Sequence, residues 1–379
     1  MLKRILAITK KEIRQIRRDN KFIAILIFFP MMLLILNGYA FNFDVKNIKI
    51  GIYDEDKSKE SREFISVLST SGYFVIKKSY NSKKEFQESI EMGEVRGIVV
   101  IPTKFGNLLS TFQPTKIQVL IDGMEPNAAN TTIGYIQGIA QQYSQKIIIE
   151  GFEKRNQKIV LPIQLDSRVL YNPEMKSSLF FVPGLIALIL AITGVLATAL
   201  SIVREKEKNT IEQILISPVT PFEMIFGKVI PYSILSFISS ILVLIAAYFM
   251  FDVVVKGSYF LLFISTILFI LAALNLGILV STIATTQQVA FQIGAIISLL
   301  PTFILSGLIF PIRSMPFFLQ IISNITPAKY YLIILRSIVV KGVGLESFWN
   351  QILNLILFNI IVVTISVIRY KRNAIKVQS

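Results

Sequence analysis

Apolar positions along this 379-residue chain fall in blocks rather than in a helical or strand-like stripe. Six uninterrupted runs, 22–41, 179–203, 229–251, 259–281, 289–312 and 351–368, approach or exceed the roughly 20 residues that a helix needs to cross a hydrocarbon core of about 30 Å. None of the six contains Asp, Glu, Lys, Arg or His. The pattern predicts an α-helical polytopic membrane protein with six transmembrane helices. The first run exceeds the roughly 7 to 15 apolar residues of a secretory signal core, so 22–41 reads as a span even though Gly38 and Ala40 offer a small-x-small cleavage pattern.

Between the first two runs, from 42 to 178, the periodicity changes. IKIGIYD (48–54), YFVIKKSY (73–80), RGIVVIP (96–102) and KIQVLID (116–122) read as strands, and SKESREFISVLST, SKKEFQESIEMG and TKFGNLLSTF between them read as helices. Strand–helix–strand repetition predicts a small α/β sheet with right-handed crossovers, followed by a longer helix from about Asn127 to Gln157.

Two further segments break the apolar rhythm. REKEKNTIEQILISPVTPFEMIFGK (204–228) carries two capping boxes, Thr210 with Gln213 and Thr220 with Glu223, the second followed by Pro221 at the first helical position. It predicts two short helices broken at Pro218. Ile211, Ile214 and Leu215 share a face of the first, which is too short to be stable alone and therefore needs a partner surface. RSMPFFLQIISNITPAKYYLIILRSIVV (313–340) is apolar but interrupted by Pro316 and Pro327, and its halves are too short to span, so it predicts a re-entrant hairpin buried against the bundle.

Charge sets the orientation. Residues 1–21 hold eight Lys and Arg, 204–228 four and 369–379 four, against one in 251–258 and four in 313–350. The positive-inside rule then places both termini and 204–228 in the cytoplasm and the 42–178 domain outside. The first 21 residues, with Leu2, Ile5, Leu6, Ile13 and Ile16 among the basic side chains, read as an interfacial helix on an anionic leaflet. The net charge of +15 is thus a matter of topology and lipid contact, with no nucleic-acid partner.

Chemistry is scarce. With no Cys and no His, thiol nucleophiles, imidazole bases and the usual zinc sites are excluded. The single Gly-Lys pair, Gly227-Lys228, is followed by Val229 and fails the phosphate-loop pattern. Asp54-Glu55-Asp56 reads as a solvated turn. Carriers driven by ion gradients usually keep an ionisable group at bilayer depth, and this chain shows none, so its energy must come from elsewhere.

Taken together, the basic N-terminal helix, the large inserted domain, the segment REKEKNTIEQILISPVTPFEMIFGKVIPY (204–232), the segment 305–349 and the opening strand IGIYDEDKS (50–58) resemble the permease subunit of ABC-2 type exporters. The likeness is to the bacterial subfamily with an external domain after the first span. The resemblance implies the following organisation: a cytoplasmic helix 1–21, a first span 22–41, an extracytoplasmic α/β domain 42–178, and spans two to six in 179–379, with a coupling loop at 204–228 and an outer hairpin at 313–340. It implies a multi-pass protein of the bacterial cell (inner) membrane and two permease copies or paralogues working with two ATP-binding cassette subunits. Membrane lipids and a periplasmic or extracellular adaptor are further candidate partners.

ATP and Mg would be used by the cassette subunit, with no cofactor bound by this chain. The expected coupling contacts are Glu205, Glu207, Thr210, Ile211, Glu212, Gln213, Ile214, Leu215 and Pro218. Thr193, Gln292, Ser298 and Thr302 are candidates for a pathway taking an amphipathic, drug-like or lipid-like molecule outward. A membrane-anchored receptor or adhesion protein, whose working part is the 42–178 domain, is the alternative reading.

Overall fold

The computed structural model describes residues 1–40, 47–124, 126–153, 170–172, 176–208 and 220–378. The chain divides into two compact units, one of Met1–Asn42 with Val169–Ser379 and one of Phe43–Arg168.

The first unit is helical. It begins with α1 (Leu2–Arg18) and, after a break at Asp19, α2 (Asn20–Ala40). The second unit holds four strands, β1 (Ile48–Asp54), β2 (Phe74–Ser79), β3 (Gly97–Ile101) and β4 (Gln118–Ile121), in the order β2-β1-β3-β4. The helix α3 (Lys59–Thr70) links β1 to β2, and α4 (Lys83–Glu91) links β2 to β3. Each starts where a serine, Ser58 or Ser82, caps it by accepting the backbone N–H three residues on. Because β2 and β3 lie on opposite sides of β1, the two connections run in opposite directions and their helices cover opposite faces. Alternation in the strands confirms it: Ile48, Ile50, Ile52, Val99 and Ile101 pack with Phe64 and Leu68 of α3, whereas Ile98 and Val100 pack with Phe86 of α4.

β1 pairs in parallel with β2 and with β3, as crossover connections require, but β4 runs antiparallel to β3. The intervening helix α5 (Phe105–Ser110) has only six residues and ends in a turn that reverses the chain. The long helix α6 (Pro126–Glu153) then closes the face covered by α3, through Ile136, Ile139 and Tyr143.

In the helical unit, α7 (Ser178–Glu207) lies at the centre: 78% of its apolar window is buried, and it packs against α2 and four later elements. These are α8 (Pro221–Phe251), α9 (Tyr259–Ile283), α10 (Gln287–Leu305) and α12 (Pro327–Arg336), the last preceded by α11 (Phe317–Ile322) and followed by α13 (Trp349–Gln378). Among the described residues, five helices (α7, α8, α9, α10 and α13) are long and apolar enough to cross a membrane, and α2 contributes a shorter described apolar run, Leu26–Ala40. The segments Phe317–Ile325 and Pro327–Lys341 meet at 91°, a break placed at Pro327.

Three boundaries differ from expectation. The capping box Thr220–Glu223 with Pro221 is present, but it opens the 31-residue α8 instead of a separate short helix. The basic segment after the second apolar run is likewise helical as far as Glu207, continuous with α7. α10 ends at Leu305, earlier than its apolar run, because Gly307 turns left-handed at φ +86°.

Prolines inside the helices explain two of the interhelical hydrogen bonds. Pro231 in α8 has no N–H, which frees the carbonyl of Gly227 four residues earlier, and the Thr9 hydroxyl of α1 donates to that carbonyl at 3.1 Å. Gly227 is what lets α1 come so close, since a Cβ there would stand 2.7 Å from Ile8. Pro30 in α2 frees the carbonyl of Leu26, and Ser239 of α8 donates to it at 3.1 Å. Farther along, Asn275 of α9 donates to the Asn359 side chain of α13 at 2.9 Å, so Asn275 serves as an interhelical clasp.

Thr9→Val should leave the Gly227 carbonyl buried and unpaired, at a cost of about 1–3 kcal/mol. Adding Pro231→Ala to that variant should recover most of the loss, because the restored N–H takes the carbonyl. Thermal unfolding of the two variants and of Pro231→Ala alone, in one detergent, measures the coupling, and additivity of the two substitutions would refute the pairing.

Candidate functional site

The helical unit concentrates its buried charge at one place, where the end of α7 meets the start of α8. The spacing is helical on each contributor. Ser201 and Glu205 stand one turn apart on α7, Lys228 and Tyr232 one turn apart on α8, and Thr9 and Glu12 on one face of α1. Glu12 is fully buried, Lys228 is 1% exposed and Glu205 3%.

The Lys228 ammonium donates to Glu12 Oε1 at 2.8 Å and to Ser201 Oγ at 3.3 Å, and its Nζ lies 2.8 Å from Glu205 Oε2. Two hydrogen bonds and one further ion pair thus surround the ammonium. Glu12 Oε2 accepts from the Tyr232 hydroxyl at 3.1 Å and from Ser201 at 3.4 Å. Half-exposed Lys11 adds ion pairs to Glu12, at 3.1 Å, and to Glu205. Two cations therefore balance two carboxylates, which is the condition under which buried charge is tolerable. Burial opposes ionisation of Glu12, but Lys228 and Lys11 outweigh it and hold the carboxyl below the usual glutamate range.

Four consecutive residues at the end of α7 point about 100° apart and fasten four different places. Arg204 pairs with Asp19 at 2.5 Å, the residue that separates α1 from α2. Glu205 joins the buried network. Lys206 donates to the carbonyls of Ser281 and, at 3.3 Å, of Ala284, which close α9. Glu207 accepts from the backbone N–H of Gln287 at 2.6 Å and from that residue's side-chain amide, at the opening of α10. A cation on the C-terminus of one helix and an anion on the N-terminus of the next match the dipoles of both.

Of the expected coupling contacts, Glu205 and Glu207 thus sit on partners within the chain. Thr210, Ile211, Glu212, Gln213, Ile214, Leu215 and Pro218 lie outside the described residues. The expected pathway residues differ in burial. Thr193, Ser298 and Thr302 are buried, the hydroxyls of the first two returned to their own helices at Ile189 and Gly294, while Gln292 is exposed.

On α1 the expected apolar residues divide between two settings. Leu2, Leu6 and Ile13 are exposed, and it is Thr9, Glu12 and Ile16 that are buried, because the docking is carried by Glu12's ion pairs and the Thr9 bond to Gly227. Sequence reading missed Glu12, Lys228 and Tyr232. The available signal was one carboxylate among the basic residues of the first helix, with single opposite charges, Glu205 and Lys228, flanking two apolar runs.

Two carboxylates of the other unit are spent on its turns: Asp54 accepts from the N–H groups of Asp56 and Lys57 and from Ser61, and Asp56 accepts from the N–H of Gly106. Among the described residues no acidic cluster could hold a metal ion.

Lys228→Met should destabilise the chain by about 3–5 kcal/mol, because it leaves Glu12 and Glu205 buried together with Lys11 alone. The double variant Glu12→Gln/Lys228→Met keeps the balanced Lys11–Glu205 pair and should recover stability in the same unfolding assay. The pH dependence has a definite sign. A carboxyl whose folded pKa is depressed contributes stability above its unfolded value, about 4.3, and loses it as pH falls through the folded value. The protection of amides in residues 2–18 relative to α9 should therefore be constant near neutrality and fall only below that point, and Glu12→Gln should abolish the acid response.

Known proteins share this sequence over most of its length. The family described as ABC-2 family transporter protein matches residues 21–368. Probable multidrug ABC transporter permease YbhS of Escherichia coli (strain K12) is 34% identical over 341 residues, covering 90% of this chain and 89% of that protein. Probable multidrug ABC transporter permease YbhR of the same organism is 31% identical over 352 residues, covering 93% and 94%. ABC transporter G family member 20 of Dictyostelium discoideum is 26% identical over 374 residues, covering 96% of this chain and 50% of that protein. This chain belongs to the ABC-2 family of transporter proteins.

Proposed function

We propose that this chain is the membrane-spanning permease subunit of an ATP-driven exporter, moving an amphipathic, drug-like or lipid-like molecule outward across a bacterial inner membrane with ATP hydrolysed by a separate cassette subunit. The observation that carries the reading is the end of α7, where Arg204, Glu205, Lys206 and Glu207 fasten α1, α8, α9 and α10 to a single helical turn immediately before residues 209–219. A push applied to 209–219 reaches five helices at once, which is what a subunit driven by an outside motor requires.

Family membership and relatives named as ABC transporter permeases support the same view. So does the relative named as an ABC transporter that is about twice as long as the matching segment, leaving room in one polypeptide for a cassette. In this reading both termini and 204–228 face the cytoplasm, the Phe43–Arg168 unit faces outward, and two copies or paralogues share two cassettes. A protein whose spans only anchored an outer receptor would not need four charged residues locking its helices together at one end.

The test is transport in vesicles. The chain co-reconstituted with the cassette ATPase that co-purifies with it should expel an amphipathic dye only with ATP, and the Ile214→Asp/Leu215→Asp variant should insert normally yet lose transport and stimulated hydrolysis. Dye movement by the chain alone would refute the assignment.

A further inference from the structure

The Phe43–Arg168 unit contains a cavity of about 570 Å³ between α3, α5 and α6, within the roughly 300 to 1,000 Å³ of small-molecule sites. Its wall is aromatic. Phe64 stands 6.1 Å from Phe105 and 5.3 Å from Tyr143, both tilted, and Ile117 and Ile147 continue the apolar lining. No charged side chain lines it, and its polar groups are Gln113, Thr115, Ser144 and the Tyr143 hydroxyl. That hydroxyl donates to the Glu60 carbonyl at 3.2 Å, and burial pushes it up to about 12, so it too is uncharged at neutral pH.

The geometry at the end of α5 shows that an aromatic ring is placed here at a cost. The N–H of Phe112 bonds the Leu109 carbonyl at 3.1 Å and the N–H of Gln113 the Leu108 carbonyl at 2.8 Å, a Schellman turn whose left-handed position ordinarily takes glycine. Here it is held by Phe112 at φ +54°. The glycine stands opposite instead: a Cβ on Gly151 of α6 would come within 1.9 Å of the Phe112 ring. A bulky residue in a left-handed conformation persists only when its surroundings enforce it, and such outliers cluster at ligand clamps. The ring bridges α5 and α6 beside the cavity, where it can close over an occupant.

We propose that this cavity is a binding site for an uncharged small molecule bearing an aromatic ring, with Phe112 as its clamp. The absence of charge in the lining selects against ionised ligands, and the tilted rings of Phe64, Phe105 and Tyr143 offer edge and face contacts to another ring. The site belongs to the Phe43–Arg168 unit alone and does not depend on the export assignment.

The probe is benzophenone, a neutral diaryl ketone that inserts into C–H bonds under near-ultraviolet light, added to the full chain in phosphatidylcholine nanodiscs and mapped by peptide mass spectrometry. Cross-links in 105–117 and 140–148 should saturate with probe concentration, while those in the apolar helices, fed by the lipid phase, should rise linearly. Phe112→Gly relieves the left-handed strain, so its unfolding temperature should equal or exceed that of the parent, while its half-saturating concentration rises about three- to tenfold, the weight of one aromatic contact. Ala140→Trp should fill the cavity and abolish saturation. Linear labelling of 105–117 and 140–148 in the parent chain, an unchanged half-saturation in Phe112→Gly, or a lowered unfolding temperature of that variant would each overturn the proposal.

Discussion

A lysine with no access to water governs the helical unit. Lys228 cannot be buried unless Glu12, Glu205 and Ser201 are all within reach, and those three residues come from α1 and α7. Nothing comparable holds the apolar contacts, which tolerate sliding by a fraction of a residue. The ion network does not, since each displacement leaves a desolvated charge with one partner fewer. It is therefore the network that sets the register of the first helix on the bundle. That α1 buries Thr9 and Glu12 and leaves Leu2 and Leu6 outside follows directly.

The turn beside the network extends this constraint to the remaining helices. Lys206 and Glu207 address the two sides of the α9–α10 turn, so α7 holds one helix by its carbonyls and the next by its amides. Rotation of α7 would weaken both holds together. Burial agrees: α7 is mostly enclosed, whereas α10 and α13 keep only 22% and 17% of their apolar windows inside the chain. Those outer helices offer their large side chains, among them Ile296, Ile304, Leu353 and Ile360, to whatever surrounds the molecule.

Elements were legible in the sequence wherever periodicity was strong and local. β1 coincides with the run IKIGIYD, and the Thr220–Glu223 box with Pro221 starts a helix as its spacing demands. The errors have local causes as well. Nothing in residues 221–228 stops a helix, so α8 runs on through Pro231, and the antiparallel β4 depends on the Schellman turn at Phe112, where the usual glycine signal is absent. The site was legible only in part. Glu205 and Glu207 were singled out, but as contacts to a partner. Their neighbours within the chain, Lys228 and Gln287, are 23 and 80 residues away, a separation no local pattern encodes. Glu12 was hidden by its company, since one acid among the seven bases of α1 reads as a solvated face.

The proline-vacated carbonyls carry a mechanical consequence. Where a helix bonds only to itself, it can glide along its neighbour with little change in polar energy. Here the α8 carbonyl of Gly227 is tied to α1 and the α2 carbonyl of Leu26 is tied to α8, so relative sliding must rupture one bond before any other can form. Such a bearing has detents. Movement among these three helices proceeds by jumps between seated positions, and half-way placements are sparsely occupied.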